Sequence, residues 1–233
     1  MVLWEVASYF ALQSHFPHIW VVAQDLSKLA LTYVFWKSLL ITFLIAIIAF
    51  LLGSAIAIGV GIFLATHDLF ESSSRNIFNL LRSLPSVAIL PLLIAYRGSS
   101  LSTVLILTTF VVACKLLLFV VREIKYMSPA LAELTAILRL SWQLKLTRVY
   151  LPSLASLLGS GAILAGDLAF VTVVLSGILA GTPGIGSAFL RAEVTGDVIR
   201  VFSYVIVMGL AGSFIFAFFR KLGRTLKIMQ EII

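Results

Sequence analysis

Residues 38–65 read Ser38-Leu-Leu-Ile-Thr-Phe-Leu-Ile-Ala-Ile-Ile-Ala-Phe-Leu-Leu-Gly-Ser-Ala-Ile-Ala-Ile-Gly-Val-Gly-Ile-Phe-Leu-Ala65, without one charged side chain. A helix needs about 20 such residues to cross a hydrocarbon core of roughly 30 Å. Three more blocks meet that length: 101–121, interrupted only by Lys115; 151–180, interrupted only by Asp167; and 201–219, which has no charge. A fifth, Ile77–Tyr96, carries Arg82 near its start and Pro85 and Pro91 inside it. Prolines are tolerated in membrane helices when neighbours satisfy the freed carbonyls, so this block reads as a broken spanning helix.

The whole chain agrees with its blocks. Of its 233 residues 61% are hydrophobic and 12% charged, with a mean hydropathy of +1.12. A soluble domain averages about 25% charged, and a membrane β-barrel needs alternating segments that are absent here. The expected fold is therefore all-α, one polytopic membrane domain over 1–233. It has about five full transmembrane helices and a partial N-terminal helix. Met1–Lys37 holds no block long enough to span, and Val2–Phe10, broken by Glu5, is expected to form a half-helix or interfacial segment. His15 and His18 lack a visible third ligand for a metal site. Cys114, the single cysteine, has no disulfide partner in the chain and reads as a small buried hydrophobe.

Charge sets an expected orientation. With Ser38–Ala65 running outside to inside, Arg75, Arg82, Arg122, Lys125, Arg139, Lys145, Arg148, Arg220, Lys221, Arg224 and Lys227 fall on the cytoplasmic side. Lys28, Lys37, Arg97, Arg191 and Arg200 fall outside. Positive residues favour the cytoplasmic side, which puts the C terminus there. The net charge of +7 is spread around the spans and is not a nucleic-acid signal.

Small residues recur every four positions, as Gly53, Ala57 and Gly61 and again as Gly161, Ala165 and Ala169. Such faces let membrane helices approach closely. They fit packing within the chain, which is the favoured reading, or a face for a second subunit.

Between two of the spans lies a polar insert, 128–148. Ser128-Pro129 is a helix start, with serine as cap and proline in the first turn. Leu131, Leu134 and Leu138 then share a face, and a second short helix from about Ser141 to Arg148 presents Trp142, Lys145 and Arg148. An amphipathic pair on the positive side suits the groove of a partner or the lipid headgroups.

The insert runs Glu133-Leu-Thr-Ala-Ile-Leu-Arg139, then nine residues, then Val149-Tyr-Leu-Pro152. It resembles the coupling loop of ABC importer permeases, E-A-A-x-x-x-G followed by nine residues and I-x-L-P. Trp4-Glu-Val-Ala-Ser8 resembles the end of the first membrane helix in the nitrate/sulfonate/taurine/bicarbonate group. Leu81-Arg-Ser-Leu-Pro85 through Pro91-Leu-Leu-Ile94 and Gly181-Thr-Pro-Gly-Ile-Gly186 resemble two further runs of that group. The resemblance covers about residues 4 to 227. It implies a type I importer permease bundle with a cytoplasmic coupling-helix pair in the cytoplasmic (inner) membrane. The implied partners are a second permease subunit, identical or different, two ATPase subunits carrying ATP and Mg, and an external substrate-binding protein. The chain itself is expected to be neither an enzyme nor a holder of a cofactor, since it has no phosphate-binding loop and no catalytic constellation.

The resemblance makes Glu133, Leu134, Leu138, Arg139, Trp142, Lys145 and Pro152 the ATPase-coupling residues, with Leu138 or Trp142 as anchor. The chain departs from the pattern in four ways. Arg139 stands where the pattern has glycine, so the bend between the two short helices is expected to be made differently. The first membrane helix is nearly absent. Ile163, Phe170 and Gly177 stand where relatives tend to have Arg, Trp and Glu. Lys115, Asp167 and Arg97 bring charge to places usually neutral. A charge at mid-bilayer depth usually faces the bundle interior. Lys115 and Asp167, with Phe170, are therefore the expected translocation-pathway residues. The two charges are expected to approach each other or line one cavity, as a pathway element or as a structural ion pair. A non-transporting permease-like scaffold and a secondary transporter using Lys115 and Asp167 are the rival readings.

Overall fold

The computed structural model describes Trp4 and residues 16–66, 86–125 and 137–231, the side chains of 86, 87, 155–160 and 222–231 aside. The described residues are helical almost throughout, and four helices are long and apolar enough to cross a membrane. In chain order the helices are α1 (Ile19–Ala30), α2 (Tyr33–Thr66), α3 (Ser86–Arg97), α4 (Leu101–Lys125), α5 (Trp142–Lys145), α6 (Leu151–Ala180), α7 (Ile185–Val194) and α8 (Val198–Glu231). The spans are α2, α4, α6 and α8. Of the expected fifth, only the 12-residue α3 is described, with Pro91 inside it. Residues 77–85, with Arg82 and Pro85, lie outside the described residues. At 1.5 Å per residue α3 is about 18 Å long, too short to cross alone.

The small-residue faces close the bundle from within. Gly53, Ala57 and Gly61 line the seam between α2 and α4. A Cβ on Gly53 would meet Val112 Cβ at 2.7 Å, and one on Gly61 would meet Val120 Cγ1 at 2.5 Å. Ala165 and Ala169 are buried in the core, and a Cβ on Gly166 would strike the Phe219 ring at 2.2 Å, so α6 and α8 are equally close. In lipid, where burial of apolar surface gives helices little reason to associate, this proximity supplies the dispersion contacts that hold them. Phenylalanines fill the wider gaps: Phe43 lies 6.1 Å from Phe170 and 6.0 Å from Phe214, and Phe50 lies 4.5 Å from Phe219, between ring centroids.

The opposite side of α2 is bare. Leu40, Leu44, Leu51, Leu52, Ile56 and Phe63 are exposed. So long an apolar surface is untenable in water and suits acyl chains.

Two helices absent from the sequence reading pack across one end of the bundle. The first is α1, in the Met1–Lys37 stretch for which the sequence reading named no element beyond the half-helix or interfacial segment near Val2–Phe10. Val22 and Leu29 are buried, with Leu26 packed beside them, a spacing of four then three that turns one stripe inward. Asp25 on α1 accepts from Arg200 on α8, Nη2 to Oδ1, at 2.8 Å. Trp4, Phe16 and Phe202 cluster beside it with centroids 4.9 to 5.5 Å apart. His18 is the residue before α1, and among the described residues no group of His, Cys, Asp or Glu is placed to hold a metal.

The second is α7, which lies between the blocks 151–180 and 201–219, where the sequence reading placed no helix. Gly181 ends α6 at φ +63, a conformation glycine adopts without strain. The chain then turns through Pro183 and Gly184 into α7. Gly186 permits the fit: a Cβ there would lie 2.2 Å from the Val174 carbonyl oxygen.

Candidate coupling surface and mid-membrane charges

Residues 137–150, the described part of the segment before α6, sit at the opposite end of the bundle from α1 and α7. Leu138 and Arg139 form a turn, and Arg139 adopts φ +44, the one non-glycine residue with positive φ among the described residues. An L-residue in that left-handed region is strained by roughly 1–2 kcal/mol. The bend is therefore made at the position where the pattern has glycine, in glycine's conformation. This corrects the expectation that it would be made differently.

Ser141 follows as the cap of α5, its Oγ accepting from Leu144 N at 3.5 Å and its carbonyl accepting from Lys145 N at 2.9 Å. From Trp142 the chain stays helical into α6, through a wide π turn at Leu146–Tyr150. Pro152 accounts for the wide turn. It has no N–H to give the Arg148 carbonyl and its ring would clash there, and a π turn relieves that clash. The expected short second helix is thus continuous with a membrane span.

The segment has two sides. Val149 is buried, and Leu146 and Tyr150 pack on Ile62, Val120, Ile124 and Leu154 at the ends of α2, α4 and α6. The other side presents Ile137 (77% exposed), Leu138 (57%), Trp142 (52%) and Leu144 (46%). Arg139 and Arg148 are exposed beside them and Lys145 is half-buried. Trp142 rests edge-on to Tyr150, 6.0 Å between centroids. Trp142 thus touches Tyr150, which ends the π turn that leads into α6. Glu133 and Leu134, and the helix start at Ser128-Pro129, lie outside the described residues.

The two membrane charges share a depth. Lys115 lies 14 residues from the start of α4 at Leu101, and Asp167 lies 13 residues from the end of α6 at Ala180, about 20 Å in each case. The ends are tied together, Ser99 Oγ donating to the Ala180 carbonyl at 2.5 Å. Lys115 is half-buried and Asp167 exposed. Among the described residues no ion pair joins them within this chain. Phe170 is 4% exposed and sits in the core against Phe43, rather than on a surface that a solute reaches. Gly177 serves contact between helices: a Cβ there would lie 3.1 Å from Gly186 Cα.

Sequence reasoning missed Asp25 and Thr42. Thr42, a polar residue inside the apolar block 38–65, was the available signal.

Comparison with known proteins adds to this geometry. Residues 57–228 match the family described as binding-protein-dependent transport system inner membrane component. The chain is 23% identical over 181 residues to a putative aliphatic sulfonates transport permease protein, SsuC, of Bacillus subtilis (strain 168). That match covers 78% of this chain and 66% of the relative, so the chain spans about two thirds of the relative's length. In three dimensions the chain is similar to a solved structure titled inward facing conformations of the MetNI methionine ABC transporter. The TM-score is 0.59 and the identity 18%, over 90% of this chain and 98% of that one.

Proposed function

This chain belongs to the binding-protein-dependent transport system inner membrane component family, and we propose that it is the permease subunit of an ATP-driven importer. It forms half of a translocation pathway whose other half is a second permease, and receives its solute from an external binding protein. Two cytoplasmic ATPase subunits, holding ATP and Mg, drive it through 128–148. The observation that carries this reading is the segment 137–150: exposed apolar and cationic on one side, and continuous with a membrane span on the other. The surplus of Lys and Arg at that end supports a cytoplasmic placement for it and for the C terminus.

Lys115 and Asp167 line the pathway at its middle. A carboxylate exposed on the middle of α6 is too costly to face lipid, so its face meets water or the second permease. Phe170 shapes the wall from behind. The relative's name points to aliphatic sulfonates, and Lys115 is the cation such an anion would meet, with Asp167 opposing it.

Purification from native membranes in mild detergent tests the reading. An ATPase subunit that stays bound to the wild-type chain, and is lost with Leu138→Asp or Trp142→Asp, supports it. Absence of any ATPase, under conditions that preserve a known importer, rejects it in favour of a secondary transporter. A bound ATPase without solute uptake by the complete complex favours a scaffold.

A further inference from the structure

The coupling turn holds an arginine where a glycine would sit without strain, and that arginine is exposed on an apolar patch. Three observations bear on its use. Arg139 is at φ +44. From 137 to 150 the cations are Arg139, Lys145 and Arg148, with no acidic residue. The cationic side-chain group of none of the three has a hydrogen-bond or ion-pair partner among the described residues, while Ile137, Leu138 and Trp142 stand more than half exposed beside them. Strain of this kind persists at positions where the side chain serves a purpose the backbone resists.

We infer that Arg139 is a partner-selecting contact, and that the ATPase matched to this permease carries an acidic rim around an apolar groove. This rests on the proposed permease function and deepens it. Leu138 and Trp142 fill the groove, while Arg139 meets a carboxylate at its edge. Rim charges of this kind select among partners and set salt dependence more than they set total affinity. An ATPase whose rim is neutral or basic at that point pairs poorly with this chain, so related importers in one cell are kept apart. Anionic headgroups are the other surface that cations here would attract. The exposed apolar side chains flanking Arg139, Ile137, Leu138 and Trp142, favour a shaped protein groove.

The test uses the ATPase that co-purifies with the wild-type chain, produced separately, and the full-length permease in nanodiscs of phosphatidylcholine. Arg139→Asn keeps a residue that tolerates the left-handed conformation and removes the charge, Arg139→Gly relieves the strain, and Arg139→Lys keeps the charge. The expected result is ATPase binding about five- to tenfold weaker for Asn and Gly, with Lys close to wild type and the gap closing at high salt. Relief of strain alone would act in the opposite direction, leaving Gly equal to or tighter than wild type, and that result overturns the inference. Lys as weak as Asn also overturns it. So does a difference that appears only when phosphatidylglycerol is added, which assigns the cation to headgroups. If Leu138→Asp and Trp142→Asp also bind normally, the permease reading falls with it; if they lose binding while Asn and Gly do not, only the arginine's role is lost.

Discussion

Thr42 and Ile185, 143 positions apart in the chain, are joined by a buried hydrogen bond: the Ile185 backbone N–H donates to Thr42 Oγ1 at 3.0 Å. The same hydroxyl donates to the Ser38 carbonyl at 3.0 Å, so one side chain of α2 caps the start of α7. Helices begin with unsatisfied N–H groups, and the residue that would normally cap α7 is Gly184, which has no side chain to do so.

Thr42→Val, nearly isosteric, leaves that N–H unpaired in a buried site. Loss of a cap or of a buried partner is worth about 1–2 kcal/mol. The expected outcome is a lower midpoint of thermal unfolding in detergent, with Thr42→Ser close to wild type. Equal midpoints for Val and wild type would show that the bond contributes nothing.

Gly61 faces Val120 too closely to accept a side chain. Leucine there gains about 1 kcal/mol of helix propensity over glycine. Overpacking against a stiff β-branched neighbour costs about 1–3 kcal/mol, so the loss is expected to win. Gly61→Leu should lower thermal stability, and adding Val120→Ala should restore part of it. A double-mutant cycle reads the coupling, and strict additivity would argue against the close seam.

Arg200 and Asp25 hold α1 against α8. Asp25 is 12% exposed and Arg200 41%, so the pair is screened less than a surface pair, and about 1–2 kcal/mol is expected. Asp25→Asn should speed proteolysis and amide exchange in 19–30 while leaving α4 and α6 unchanged. Exchange that rises equally in every helix would contradict this local role.

Asp167→Asn removes the mid-membrane charge with little change of shape. The complex is expected to assemble normally and to transport its solute several-fold faster or slower. Faulty assembly would assign Asp167 to a structural contact with the second permease, and normal assembly with unaltered uptake would remove it from both roles.

What could be read from the chain alone was what local chemistry dictates. Long apolar runs such as 38–65 set α2, α4, α6 and α8, because bilayer thickness translates directly into a count of residues. The four-residue recurrence of Gly53, Ala57 and Gly61 marked a close seam, and the polar insert marked the segment proposed above to meet the ATPase. Tertiary structure decided the rest. Which side of α6 faces the core depends on helix rotation, which a nearly uniform apolar run does not encode; hence Phe170 is buried, while Asp167 is exposed and unpaired with Lys115. The α1 helix is held by Asp25 and Arg200, 175 positions apart, and no local spacing reveals that pair. Arg139 is the sharpest case: its residue type argues against the left-handed conformation, yet the backbone adopts φ +44 there.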